Sequence, residues 1–225
     1  TMKKKTMIVL MSAFLLLSAF SCGGGNKANS TSEQSEETAV NVPRFDADSA
    51  YLYVKNQVDF GPRVPNTKEH VACGNYLAGQ LEAFGAQVTN QYADLIAYDG
   101  TLLKARNIIG SYKPESKKRI ALFAHWDTRP WADNDPDEKN HNTPILGAND
   151  GASGVGALLE IARLVNQQQP ELGIDIILLD AEDYGAPQFY TGQHKEEFWC
   201  LGSQYWARNP HVQGYNARFG ILLDM

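Results

Sequence analysis

Two residues able to move protons or hold a metal, His125 and Asp127, stand either side of Trp126 at the end of an apolar run, residues 120–124. Alternate side chains on a strand share a face, so His125 and Asp127 are predicted to point together. Asp150 stands at the mouth of segment 151–167, whose Leu158, Leu159, Ile161, Ala162 and Val165 recur at helical spacing. A carboxylate is favoured electrostatically at a helix start, and taken alone Asp150 reads simply as a cap. It is not alone. A second apolar run, 174–179, ends in D-A-E-D (Asp180, Glu182, Asp183), and a third, 219–223, ends in Asp224. Open α/β sheets bind ligands beyond the carboxyl ends of their strands, so one histidine and several carboxylates are expected to converge there. Such donors, with no cysteine among them, suit zinc or a divalent metal of similar demands. Glu182 and Asp183 are adjacent and cannot easily share one metal. That divides the work into one ligand and one free general acid/base; the plain alternative is a solvated acidic strand end.

Positioning these groups requires a layered scaffold. From Arg119 onward the pattern runs strand, loop, helix, strand, loop, short helix, strand, the alternation of an α/β domain. Before it, Asp48 or Ser49 can cap a helix carrying Tyr51, Leu52, Val54 and Val58. Thr67 can cap another, with Val71, Tyr76, Leu77, Leu81 and Phe84 as its apolar stripe and Gly85 closing it. Residues 86–92 and 102–112 read as strands joined across Asp99-Gly100, a turn signal. A hairpin beside a parallel unit predicts a mixed sheet. The loops 128–146 and 184–199 are long, and loops of that length are usually functional or mobile. The last strand stops beside Asp224 with no return connection, from which the chain is expected to be a C-terminally truncated fragment.

The chain has 225 residues, 43% of them hydrophobic, enough for one sizeable core. Net charge is -6 and no block of Lys or Arg longer than Lys117-Lys118-Arg119 follows Lys5, which argues against nucleic acid as a partner. Lys3, Lys4 and Lys5 precede an apolar run, residues 7–20, too short to span a bilayer comfortably; this is the pattern of a cleaved export signal. Cys22 and its surroundings resemble the lipid-attachment cysteine of bacterial lipoproteins, the alternative being ordinary cleavage near Ser21. The expected organisation is a signal over 1–22, a flexible tether over 23–43 that lacks large apolar side chains, and a catalytic domain over 44–225. The protein is thus expected in the cell envelope, exported to the periplasm and held at a membrane by lipidated Cys22. Cys73 and Cys200 remain, either as a disulfide or as two buried thiols.

H-W-D at 125–127, G-A-N-D-G-A-S-G at 147–154, D-A-E-D at 180–183 and L-L-D-M at 222–225 follow one another in an order and spacing that resemble the zinc-dependent aminopeptidase-like family, which includes glutaminyl cyclases. G-P-R-V-P at 61–65 fits that family's early turn. The resemblance covers about residues 45–225 and implies a three-layer α/β fold with a mixed, mostly parallel β-sheet flanked by helices. It implies Asp150 and Asp183 as zinc ligands, Glu182 as general acid/base and Asp127 as a residue orienting them from behind. Asp224 would be a hydrogen-bonding catalytic acid with one zinc; with two zincs it would be a ligand, and so would His125. This sequence departs from the family in having Glu-Asp where Glu-Glu is usual, and the family's further ligand histidine is not among its motifs.

Within the family, H-W-D-T-R-P-W followed by G-A-N-D-G-A-S-G is similar to bacterial glutaminyl cyclases, which implies cyclisation of N-terminal glutaminyl peptides to pyroglutamyl peptides with release of ammonia. Two other functions stand beside it: a two-zinc aminopeptidase, and a non-catalytic envelope lipoprotein that keeps the fold as a binding module. Trp126, Trp131 and Trp199, with Trp206, are candidates for the wall of a small substrate pocket, core packing being the alternative for each. His70, His141, His194 and His211 lie among polar residues and read as surface histidines.

Overall fold

A computed structural model describes residues 41–225. The export signal, Cys22 and nearly all of the tether lie outside the described residues. Among those described, no helix is long and apolar enough to cross a membrane.

The first helix, α1 (Ala47–Val58), is capped by Asp46, whose carboxylate accepts from the amides of Asp48 and Ser49 at 3.0 and 3.2 Å. The cap therefore lies before Asp48: Asp46 has the extended backbone, φ -101°, that turns its side chain onto the free amides. Thr67 caps α2 (Lys68–Ala83) by accepting from His70 N. Its buried stripe is His70, Cys73, Leu77 and Leu81, while Val71 faces solvent. Strands β1 (Gln87–Ile96) and β2 (Leu102–Tyr112) form the expected antiparallel hairpin, with β1 continuing beyond 92 because its pairing runs on to Ile96 opposite Leu102. Then follow β3 (Arg119–His125), α3 (Ala152–Gln167), β4 (Gly173–Leu179), α4 (Leu201–Arg208) and β5 (Gly220–Leu222).

The strands are ordered β1-β2-β4-β3-β5. β3 pairs in parallel with β4 and β5, and β2 pairs antiparallel with β1 and β4, so the sheet is mixed, with β2 alone running against the others. One face buries Ile108, Leu122, Ile176 and Leu178 against α2 and α3. The other buries Ile109, Ala121 and Ile177, with Trp206 of α4 and Tyr215 packed over them. Helices on both faces of a sheet make the three layers, and the parallel strands β3, β4 and β5 all end on one side.

Candidate active site

His125 closes β3 on the face of Phe123, and the two-residue period brings Asp127 to the same side. It sends Trp126 the other way. Trp126 is fully buried in the core, stacks on the His70 ring at 4.3 Å between centroids, and donates from Nε1 to Arg106 O at 3.1 Å. Trp126 is therefore a core residue, not a pocket wall. His70 is not a surface histidine either: it is 3% exposed, with Nε2 at 2.8 and 2.9 Å from the two carboxylate oxygens of buried Asp180.

Asp127, with no exposure, is the hub. Its Oδ1 accepts from Glu182 N at 3.0 Å and its Oδ2 from Asp183 N at 3.1 Å, while His125 Nδ1 lies 3.4 Å from Oδ1. Burial disfavours its charge, but His125 and the two amides outweigh that and hold its pKa below the usual carboxylate range.

Asp150 arrives by a different device. Buried Arg63, from G-P-R-V-P, donates to the carbonyls of Trp126, Leu146 and Gly147 at 3.1, 2.7 and 2.7 Å, pinning the loop that precedes Asp150. Gly151 heads α3 with φ +92°, and a Cβ there would lie 2.8 Å from Asp127 O. The helix has no side-chain cap, so Asp150 is not its capping residue. Its carboxylate instead meets His125 Nε2 at 2.8 Å. Asp224, beyond β5, lies 3.6 Å from the same nitrogen. Burial disfavours a charged His125 ring, but the bonds to Asp127 and Asp150 prevail and push its pKa up to about 11.

Beyond β4 the chain turns through Ala181, φ +50°, and is laced to the start of α4. The amides of Cys200, Leu201 and Gly202 donate to the carbonyls of Glu182, Ala181 and Asp180 at 2.9, 2.9 and 3.0 Å. Gly202 is required there, since a Cβ would lie 2.0 Å from Asp180 O. The thiol of Cys200 reaches Glu182 Oε1 at 2.9 Å, and both Cys200 and Cys73 are free thiols. Burial raises the Glu182 pKa, and the charge of Asp127 adds to that, against the bond from Cys200, which lowers it. Asp183 is pushed up to about 8 by burial and by the charges of Asp127 and Asp150. Its Oδ1 lies 3.4 Å from Arg129 Nη1, whereas its Oδ2 is buried with no hydrogen-bond partner.

The structure thus gathers His125, Asp127, Asp150, Glu182, Asp183 and Asp224 at one sheet end. A cavity of about 290 Å³ opens onto His125, Glu182 and Asp224, with Phe123, Leu179 and Trp206 as an apolar wall. A second, also about 290 Å³, is lined by Asp150, Arg129 and Trp131. Trp199 lines neither cavity; it covers the Arg129 guanidinium at 4.9 Å and packs on Gly185. The donor set suits a divalent cation: His125, Asp150 and Asp224 offer ligand atoms within 4.8 Å of one another, and the orphaned oxygen of Asp183 lacks the partner that buried carboxylates normally have. Arg63, Arg129 and Cys200 were missed as contributors. Both arginines lie inside noted motifs, and an uncommon cation within a turn or acidic loop was the available signal; nothing local marks Cys200.

The profile of peptidase family M28 matches residues 107–225. The chain is 94% identical to glutaminyl cyclase from Bacteroides thetaiotaomicron, solved bound to N-acetylhistamine, with a TM-score of 0.82 over 82% of this chain and 63% of that one. It is also 94% identical to a leucine aminopeptidase precursor solved from the same organism, TM-score 0.82, over 82% and 64% of the two chains. Glutaminyl-peptide cyclotransferase from Drosophila melanogaster is 24% identical over 187 residues, 77% of this chain and 48% of that protein. The chain spans less than half the length of the curated relatives it matches and under two thirds of these two solved structures.

Proposed function

The chain belongs to peptidase family M28, and we propose that the protein it forms part of is a zinc-dependent glutaminyl cyclase that converts N-terminal glutaminyl peptides to pyroglutamyl peptides. One observation carries the reading: Glu182 faces a cavity with His125 and Asp224 and has no cation paired to its carboxylate among the described residues, while adjacent Asp183 is held by Arg129 and keeps an orphaned oxygen. The first is placed to move a proton and the second to hold a metal. Asp150 and Asp183 would be the ligands of one zinc, which when bound supplies Lewis-acid polarisation of the substrate's side-chain amide carbonyl.

The chain's own residues do the rest. The α-nitrogen of the substrate attacks its own side-chain amide carbon, forming a C–N bond as the bond to the amide nitrogen breaks. Glu182 takes a proton from the attacking nitrogen and delivers it to the departing one, which leaves as ammonia. Asp224 holds the shifting proton, and Asp127 fixes both carboxylates through their backbone amides. No covalent enzyme intermediate is needed, because the nucleophile is already tethered to its target.

A two-zinc aminopeptidase is the second reading, favoured by the His125, Asp150 and Asp224 cluster. The test uses the full-length protein: ammonia release from a Gln-initiated peptide, hydrolysis of a leucyl anilide, and zinc content by elemental analysis. Cyclisation with one tightly held zinc that survives His125→Ala is expected; leucyl hydrolysis with two zincs, one lost in that variant, would establish the aminopeptidase instead. The location proposed for it is the cell envelope, with Cys22 as lipid anchor, on the strength of the basic and apolar residues that precede it. Cys22→Ser should move the protein from the membrane to the soluble fraction.

A further inference from the structure

We propose that Cys200 is a positioning residue for the proton transfer, its thiol holding one oxygen of Glu182 so that the carboxylate faces the cavity in a single orientation. The inference rests on the reading that Glu182 moves the proton. Two bonds join these residues, Cys200 N to Glu182 O at 2.9 Å and Cys200 Sγ to Glu182 Oε1 at 2.9 Å, so backbone and side chain of Glu182 are held by one partner. Among the described residues, this thiol is the one donor to the Glu182 carboxylate.

The backbone at Cys200 makes that contact costly to arrange. Its φ of +53° and ψ of 37° are left-handed, a conformation that suits glycine and strains a residue with a Cβ. Gly202, two residues on, meets a backbone oxygen that admits no Cβ. At Cys200, by contrast, a side chain is present where the backbone alone would favour none, and it ends on the carboxylate. Strain retained at a functional group points to what that side chain does.

A thiol also suits the task chemically. An ammonium or guanidinium on Oε1 would stabilise the charged carboxylate and weaken it as a base. A thiol is a weak, uncharged donor, so it orients Glu182 without placing a second charge beside it. Burial, then the bond to Glu182, pushes the Cys200 thiol up to about 12, so at neutral pH it keeps the hydrogen that it donates. Cys200 also lines the cavity shared with His125 and Asp224, whose wall includes the apolar side chains of Phe123, Leu179 and Trp206.

The test compares Cys200→Ala, Cys200→Gly and Cys200→Ser in the zinc-loaded full-length enzyme. Glycine relieves the backbone and removes the donor; serine keeps a donor and the strain. We expect the glycine and alanine variants to lose kcat on a Gln-initiated peptide on the order of 10- to 100-fold, the scale of a misplaced reacting group. KM, zinc content and Tm should stay near those of the unsubstituted enzyme, and serine should restore most of kcat. In a Glu182→Gln background Cys200→Ala should cost nothing more, because it acts through Glu182. Unchanged kcat with alanine or glycine, a serine variant as slow as alanine, or a further loss in the Glu182→Gln background would each overturn the inference. Failure of the cyclase reading shows elsewhere, as an unsubstituted enzyme that releases no ammonia.

Discussion

Two buried carboxylates flank the middle of strand β4, Asp175 near its start and Asp183 in the turn beyond its end, and the two are opposites. At its start, Asp175 has no exposure and is fully paired: Arg119 donates at 2.5 and 2.7 Å, Ser111 at 2.7 Å and Tyr215 at 2.8 Å. Burial works against its charge, yet those partners hold its pKa below the ordinary range. Beyond the strand's other end, Asp183 is also buried but has one oxygen without a partner and is pushed up to about 8. Burial alone therefore does not mark a functional carboxylate. The completed hydrogen-bond shell of Asp175 suits a group that holds the fold, and the incomplete shell of Asp183 suits the metal ligand proposed for it.

The strongest test of that contrast is Asp183→Asn. It should abolish tight zinc binding and with it cyclisation, while the metal-free protein keeps or gains Tm, since a buried carboxyl with one orphaned oxygen, disfavoured in its charged form, has been replaced by a neutral amide. A drop in Tm of the metal-free protein would show Asp183 to be structural. Next, Glu182→Gln should keep zinc and Tm but slow ammonia release by at least ~10²-fold. Near wild-type turnover would remove Glu182 from the proton path.

The third test is at the paired end. Asp175→Ala leaves Arg119 buried without its carboxylate and should cost ~3–5 kcal/mol of stability in urea unfolding, with kcat scarcely altered in whatever protein remains folded. A silent substitution there would dissolve the contrast. The smallest effect is one of sign. Asp175, with its pKa depressed on folding, contributes stability that is present above the unfolded carboxylate range and lost as pH falls through its folded value. Asp183 in chelator-treated protein does the reverse: the folded state holds its proton more tightly, so stability falls as pH rises from about 4 to about 8. Urea midpoints measured across that range should decline, and Asp183→Asn should flatten the decline.

Much of this site was legible because the relations that build it are local. The two-residue period aligns His125 with Asp127, Asp99-Gly100 turns the hairpin, and Thr67 caps its helix. What escaped depends on contacts between distant parts of the chain. His70 looks like a surface histidine until Asp180, 110 residues away, is placed against it. The alternation that aligns His125 with Asp127 sends Trp126 to the opposite face, where the His70 ring covers it, and that partner lies far away in sequence. Asp46 rather than Asp48 caps α1 because capping follows backbone conformation, which two nearby aspartates do not reveal. The left-handed turn at Cys200 has no sequence mark at all, since glycine would be the expected residue.

Because Asp127 holds the amides of Glu182 and Asp183 with its two oxygens, the reactive pair is referenced to the end of a strand and not to the length of chain around it. Arg129 and Asp133 at the root of the first neighbouring loop brace Asp183, but the outer stretches, residues 134–144 and 189–198, bond to neither Glu182 nor Asp183 and are free to lengthen, shorten or exchange side chains as surface loops do. In the proposed cyclase, substrate range and proton transfer would then be separable traits: the mouth of the cleft could be reshaped while Glu182 and Asp183 keep their places. Asp127 would be the residue that such reshaping has to leave in place, since both amide bonds end on it, although it need touch nothing that passes through the cleft.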